Sequence, residues 1–140
     1  ILMGTSTAGI AHAAIAAHIL GLPMGYVRGA AKDHGRGNRI EGRLLPGQKT
    51  VVIEDLISTG GSVLDTVEAL RQAGAEILGI VSIFTYQFEE AERRMSETGV
   101  KNISLCDLDA LMQAAELKGY ITAEQRKMVE AFRADPKDWR

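Results

Sequence analysis

Thr50–Ser62, T-V-V-I-E-D-L-I-S-T-G-G-S, constrains this chain more than any other stretch. A β-branched run (Val51, Val52, Ile53) ends in two adjacent acids, Glu54 and Asp55. Small hydroxyl residues and glycines follow (Ser58, Thr59, Gly60, Gly61, Ser62), and then an amphipathic segment, V-L-D-T-V-E-A-L-R-Q-A-G. β-Branched side chains favour a pleated strand, and spacing of three and four favours a helix. The order predicted is therefore strand, acidic edge, glycine loop, helix.

The rest of the chain repeats that alternation. Strands are predicted at Ile1–Met3, Met24–Arg28, Thr50–Ile53, Glu76–Thr85 and Lys101–Leu105. Helices are predicted at Ile10–Leu20, Val63–Ala73, Phe88–Thr98, Leu108–Lys118 and Thr122–Arg133, the last opened by a Thr122/Gln125 capping box. Ile10–Leu20 is apolar nearly all round and reads as a buried helix. Glu76–Thr85 reads as a strand buried on both faces. The fold class expected is α/β, an open and mainly parallel sheet flanked by helices, over 140 residues that form a single domain.

Three polar stretches each follow a predicted strand: Gly4–Gly9, Gly29–Gly47 and Glu54–Ser62. In a parallel sheet they share the carboxyl edge, where ligands bind. At about 19 residues, the second is long for a plain connector, which favours a functional loop.

Glycines at Ser58–Ser62 let backbone amides approach an anion at a helix N-terminus, and the hydroxyls add donors. Taken alone, S-T-G-G-S also fits a plain turn with a serine N-cap; the acids immediately upstream favour the anion cradle. No lysine or Walker spacing is present, which argues against a nucleoside triphosphatase. Two carboxylates at a strand end repel each other unless hydroxyls, a cation or a basic group compensate. A cis-diol with Mg²⁺ answers that need, so acids and cradle together suit a phosphorylated sugar. Residues 28–39 carry Arg28, Lys32, Arg36 and Arg39 against Asp33, and His34 besides. Such a basic segment suits a polyanion and a leaving group. His12 and His18 lie six apart and do not share a face as an i, i+4 metal pair would.

Composition narrows the field. Net charge is −2, which supplies no general field for nucleic acid or an acidic membrane. The one cysteine, Cys106, permits no internal disulfide and suits a reducing, cytoplasmic setting. No apolar run approaches the roughly 20 residues of a membrane span. The chain opens on Ile1 and runs directly into Gly4-Thr5-Ser6-Thr7, which reads as a strand entered part-way along a longer protein.

V-V-I-E-D-L-I-S-T-G-G-S resembles the phosphoribosyl-pyrophosphate (PRPP) signature of type I phosphoribosyltransferases. V-R-x-x-x-K-D-H-G followed by G-N-x-I-E-G narrows this to the orotate phosphoribosyltransferase family, and G-T-S-T-A-G-I-x-H-A, L-G-L-P-M-x-Y-V-R and S-I-F-T-Y agree. The resemblance covers essentially the whole chain and implies transfer of ribose 5-phosphate from PRPP to orotate, with Mg²⁺. It implies that Glu54 and Asp55 hold the ribose hydroxyls directly or through Mg²⁺. Leu56, Ile57 and the Ser58–Ser62 loop (Ser58, Thr59, Gly60, Gly61, Ser62) would bind the 5′-phosphate side, with Ser58 also near orotate. Thr5, Ser6 and Thr7 would form the pyrophosphate loop, and Arg28, Lys32 and His34 would act on the leaving group. The family further implies a homodimer in which the Arg28–Gly42 loop reaches the neighbouring site, and an N-terminal hood upstream of Ile1. Gly29-Ala30-Ala31 stand where many members carry an additional lysine. A purine phosphoribosyltransferase, or a non-catalytic PRPP-sensing regulator of the same fold, are the other readings.

Overall fold

The computed structural model describes residues 1–29 and 39–136. Six strands form one sheet: β1 (Leu2–Thr5), β2 (Met24–Val27), β3 (Ile40–Glu41), β4 (Lys49–Ile57), β5 (Glu76–Thr85) and β6 (Asn102–Asp107). Their order is β3-β2-β1-β4-β5-β6, parallel throughout except for β3, which runs antiparallel to β2. Helices α1 (Ala8–Leu20), α2 (Gly61–Gln72), α3 (Glu89–Thr98), α4 (Leu108–Leu117) and α5 (Ala123–Ala134) follow in sequence. The α/β expectation holds, as does the capping box that opens α5.

Boundaries differ where tertiary pairing extends a strand. β1 runs to Thr5 and α1 starts at Ala8, so the predicted Gly4–Gly9 loop shrinks to Ser6 and Thr7. β4 continues four residues past Ile53, because β5 pairs with it as far as Ile57↔Thr85. Glu54 and Asp55 thus lie inside a strand, not in a loop. The predicted connector Gly29–Gly47 contains β3, whose Ile40 and Glu41 pair with Val27 and Tyr26.

The two sheet faces are covered unequally. On one, Met3, Val52 and Ile80 of the sheet meet Val63, Val67 and Leu70 of α2 and Ala91 and Met95 of α3. On the other, Leu2 and Ile53 meet Ala13 and Ala17 of α1. α1 lies over β1, β2 and β4. Beyond it, Ile83 of β5 and Ile103 and Leu105 of β6 stay open, Leu105 at 76% of its full exposure. This corrects two expectations. β5 is not buried on both faces, and α1 is not a buried helix, since Ile15 and Ile19 face outward. Hydropathy counts apolar residues along an element but does not show which neighbour covers them. The carboxyl end of β5 is braced by an aromatic group: Tyr86 stacks on Phe88 with centroids 5.1 Å apart, and Phe132 of α5 meets Phe88 edge-on at 5.6 Å.

Candidate active site

Parallel pairing of β2, β1 and β4 brings three carboxyl ends to one edge, as the polar stretches predicted. At the end of β1, Thr5 is buried, and its Oγ1 has no hydrogen-bond partner among the described residues. The Ser6–Thr7 peptide is cis. Ser6 ties β1 to β2 twice: its N–H donates to the Val27 carbonyl at 3.1 Å, and its Oγ accepts from the Gly29 N–H at 2.8 Å. At the end of β2, Arg28 Nε lies 3.3 Å from Glu41 Oε1.

Two glycines let this first crossing close. A Cβ on Gly9 would stand 2.5 Å from the Ile53 carbonyl oxygen, and one on Gly4 2.8 Å from that of Gly9. Hydrogen in place of a methyl lets the start of α1 lie directly on β4. That contact helps bury the residue after Ile53. Glu54 is only 6% exposed, and its Oε1 accepts the Asp55 N–H at 3.0 Å. Burial, and after it the adjacent Asp55 carboxyl, raise the Glu54 carboxyl to about 7.

The second crossing, from β4 to α2, is open. Gly60 takes the left-handed conformation (φ 76°) as the N-cap, and no side chain caps the helix. The serine cap considered from sequence is absent, which leaves first-turn amides of α2 available to an anion. A hollow of about 250 Å³ is lined by Glu54, Leu56 and Ile57 together with Ser58–Val63. Ile57 is a core residue by its side chain, so only its backbone can face a ligand. The hollow suits a phosphate group and part of a sugar better than a whole nucleotide.

Thr5, Ser6, Thr7, Arg28, Glu54, Asp55 and the Ser58–Ser62 loop therefore belong to one edge. Lys32 and His34 lie outside the described residues. Arg94, which the sequence offered only as part of a solvated helical face, approaches the cradle: a Cβ on Gly61 would lie 3.4 Å from its guanidinium. It pairs with Glu90 at 2.6 Å. No local signal foretells this placement, because it depends on how α3 packs beside α2. Among the described residues no group of three or more His, Cys, Asp or Glu is placed to hold a metal. Two carboxylates alone fit a Mg²⁺ shared with substrate oxygens better than a caged resident ion.

The family model for the phosphoribosyl transferase domain matches residues 1–117, which take in this whole edge. The chain belongs to the phosphoribosyltransferase family. It is 48% identical, over 139 residues, to the orotate phosphoribosyltransferase of Streptococcus thermophilus. That match covers 99% of this chain but 66% of the relative, just under two thirds. Among solved structures, the orotate phosphoribosyltransferase from Aeropyrum pernix superposes with a TM-score of 0.75 at 30% identity, covering 86% of this chain and 66% of that one. The Mycobacterium tuberculosis orotate phosphoribosyltransferase in complex with PRPP gives 0.66 at 27% identity, covering 79% and 64%. Within this phosphoribosyltransferase domain the crossings from β1 and β4 carry the sequence signatures, and α5 lies beyond the matched span.

Proposed function

We propose that the protein to which this domain belongs transfers ribose 5-phosphate from PRPP to orotate, giving orotidine 5′-monophosphate and pyrophosphate in pyrimidine biosynthesis. The observation that carries the reading is the junction of β4 and α2, where the buried Glu54 and the half-buried Asp55 lead, through a turn at Ser58–Gly60, into a helix start with no side-chain cap. The similarity to orotate phosphoribosyltransferases over nearly the whole chain supports orotate as the acceptor.

In this reading amides and hydroxyls of Ser58–Ser62 hold the 5′-phosphate. Asp55 and Glu54 hold the ribose hydroxyls, and the negative charge the pair carries stabilises the positive charge that develops at the ribose as the leaving group departs. With its carboxyl raised to about 7, Glu54 is partly protonated at neutral pH and can donate as well as accept a hydrogen bond. Ser6 and Thr7 face the pyrophosphate with Thr5 beneath them, its buried hydroxyl beside the Glu54 carboxyl. Arg28 adds charge beside them. Lys32 and His34 are proposed on the sequence resemblance. Glu54 and Asp55 would hold a Mg²⁺ brought with the substrate, which would supply positive charge to offset the pyrophosphate. Most of the rate then comes from positioning and electrostatics. We propose a cytoplasmic homodimer in which the Arg28–Gly42 loop reaches the partner's site. No helix among the described residues is long and apolar enough to cross a membrane.

The test follows pyrophosphate release by the full-length protein with PRPP and Mg²⁺, offering orotate, adenine or hypoxanthine. Orotate-dependent release is expected. Preference for a purine would replace orotate with a purine acceptor, and tight PRPP binding with no release for any base would point to a sensor. Sedimentation should give twice the chain mass.

A further inference from the structure

The geometry points to Arg39 as a positioning residue that fastens the end of β2, with Arg28 on it, to the phosphate-cradle helix through Asp65. This inference rests on the reading of the edge as a PRPP site. Arg39 makes contacts in two directions. Towards β2, its Nε donates to the Arg28 carbonyl at 3.1 Å while the Arg28 N–H donates to the Arg39 carbonyl at 2.8 Å. Towards α2, its two terminal nitrogens donate to the two oxygens of Asp65, one to each. Such a fork fixes orientation as well as distance, which a lysine ammonium cannot do.

The pair sits where small displacements matter. Asp65 lies one turn into α2, about 6 Å along the axis from Gly61. Arg28 precedes Gly29, whose N–H is held by Ser6. Arg39 therefore closes a ring: β1 end to β2 end through Ser6 and Gly29, β2 end to α2 through Arg39 and Asp65, and α2 back to β4 through the cradle. The side chains are 30% and 51% exposed, so the pair adds little to global stability. Its consequence is local, a constant separation between the Arg28 backbone at the end of β2 and the cradle.

Two measurements on the same variants test this. Calorimetric titration with PRPP and Mg²⁺ should show affinity weakened roughly tenfold by Arg39→Lys and by Asp65→Asn. The exchanged pair, Arg39→Asp with Asp65→Arg, should recover much of that loss, and thermal midpoints should stay near wild type. Amide hydrogen exchange, which needs no ligand, should quicken several-fold at Arg28 and Gly29 in Asp65→Asn while β5 amides are unchanged. Wild-type affinity in both single variants together with unchanged exchange at Arg28 and Gly29 would overturn the inference. So would a uniform fall in stability with exchange quickened throughout the sheet, which marks a structural role only. Failure of wild type to bind PRPP would sink the proposed function instead, and the exchange measurement would still decide whether Arg39 fastens the edge.

Discussion

The crossings from β1 to α1 and from β4 to α2 are both short, glycine-bearing and rich in hydroxyls, yet their glycines serve different ends. At Gly4 and Gly9 a Cβ has no room, because backbone lies within 2.8 Å. At Gly60 a Cβ would have room, its nearest neighbour being 3.6 Å away, but the left-handed backbone disfavours it. The glycines of the first crossing make a packing joint, and those of the second shape the hollow beside α2. Similar composition therefore does not imply a similar use of glycine; what separates the two is whether a Cβ would meet another element's backbone or find room.

Substitutions can break this contrast, and the largest effect belongs to the packing joint. Gly9→Ala places a methyl against the Ile53 carbonyl and should cost about 3 kcal/mol, read as a large fall in the denaturation midpoint. A midpoint close to wild type would mean that α1 is free to lift from β4.

Glu54, buried where the two crossings meet, comes next. Its carboxyl is raised from 4.5 to about 7 in the folded protein, so the folded state holds the proton more tightly than the unfolded chain. The contribution is complete below the unfolded value and is lost as pH rises through about 4.5 to 7. In metal-free buffer wild-type stability should fall across that window, while Glu54→Gln should stay flat and be more stable at pH 8 by about 1–3 kcal/mol. The same variant should bind PRPP less tightly. Parallel pH profiles for the two proteins would show that Glu54 is not desolvated.

At the hollow the balance between stability and binding inverts. Gly60→Ala should cost about 1–2 kcal/mol through its positive φ and weaken PRPP binding as the cradle shifts. The smallest stability change belongs to Gly61→Ala, within about 0.5 kcal/mol, since that position is helical and a Cβ there would meet only the ends of the Arg94 and Thr59 side chains, at 3.4 and 4.0 Å. Gly61 lines the hollow, and its methyl would press on Arg94 beside it, so PRPP affinity should still drop measurably. If Gly61→Ala left affinity intact, the phosphate would have to sit elsewhere along the edge.

Much of this was readable beforehand, for identifiable reasons. The V-V-I run, the acid pair and S-T-G-G-S declare strand, edge and cradle, because backbone preference and helix-end electrostatics act over a few residues. The strand-helix alternation then implied a shared carboxyl edge, and pairing of β2, β1 and β4 produced it. The extension of β4 through Glu54 to Ile57 was not readable, since two acids look like the end of a strand until β5 supplies partners. Neither Arg94 behind the cradle nor the Arg39–Asp65 link could be read, since each joins residues more than 20 positions apart.

Sequence by itself determined the chemistry at the edge: which residues could bear charge, donate from bare amides or tolerate a left-handed turn. Those are properties of single residues and near neighbours. Tertiary structure decided how that chemistry is tuned. It buried Glu54 under α1 and raised its carboxyl to about 7, and it left room for a Cβ at Gly60 while denying it at Gly9. It also covered one face of β5 and β6 while leaving Ile103 and Leu105 exposed on the other. Burial and proton affinity depend on what other elements bring alongside, and long-range packing alone sets that.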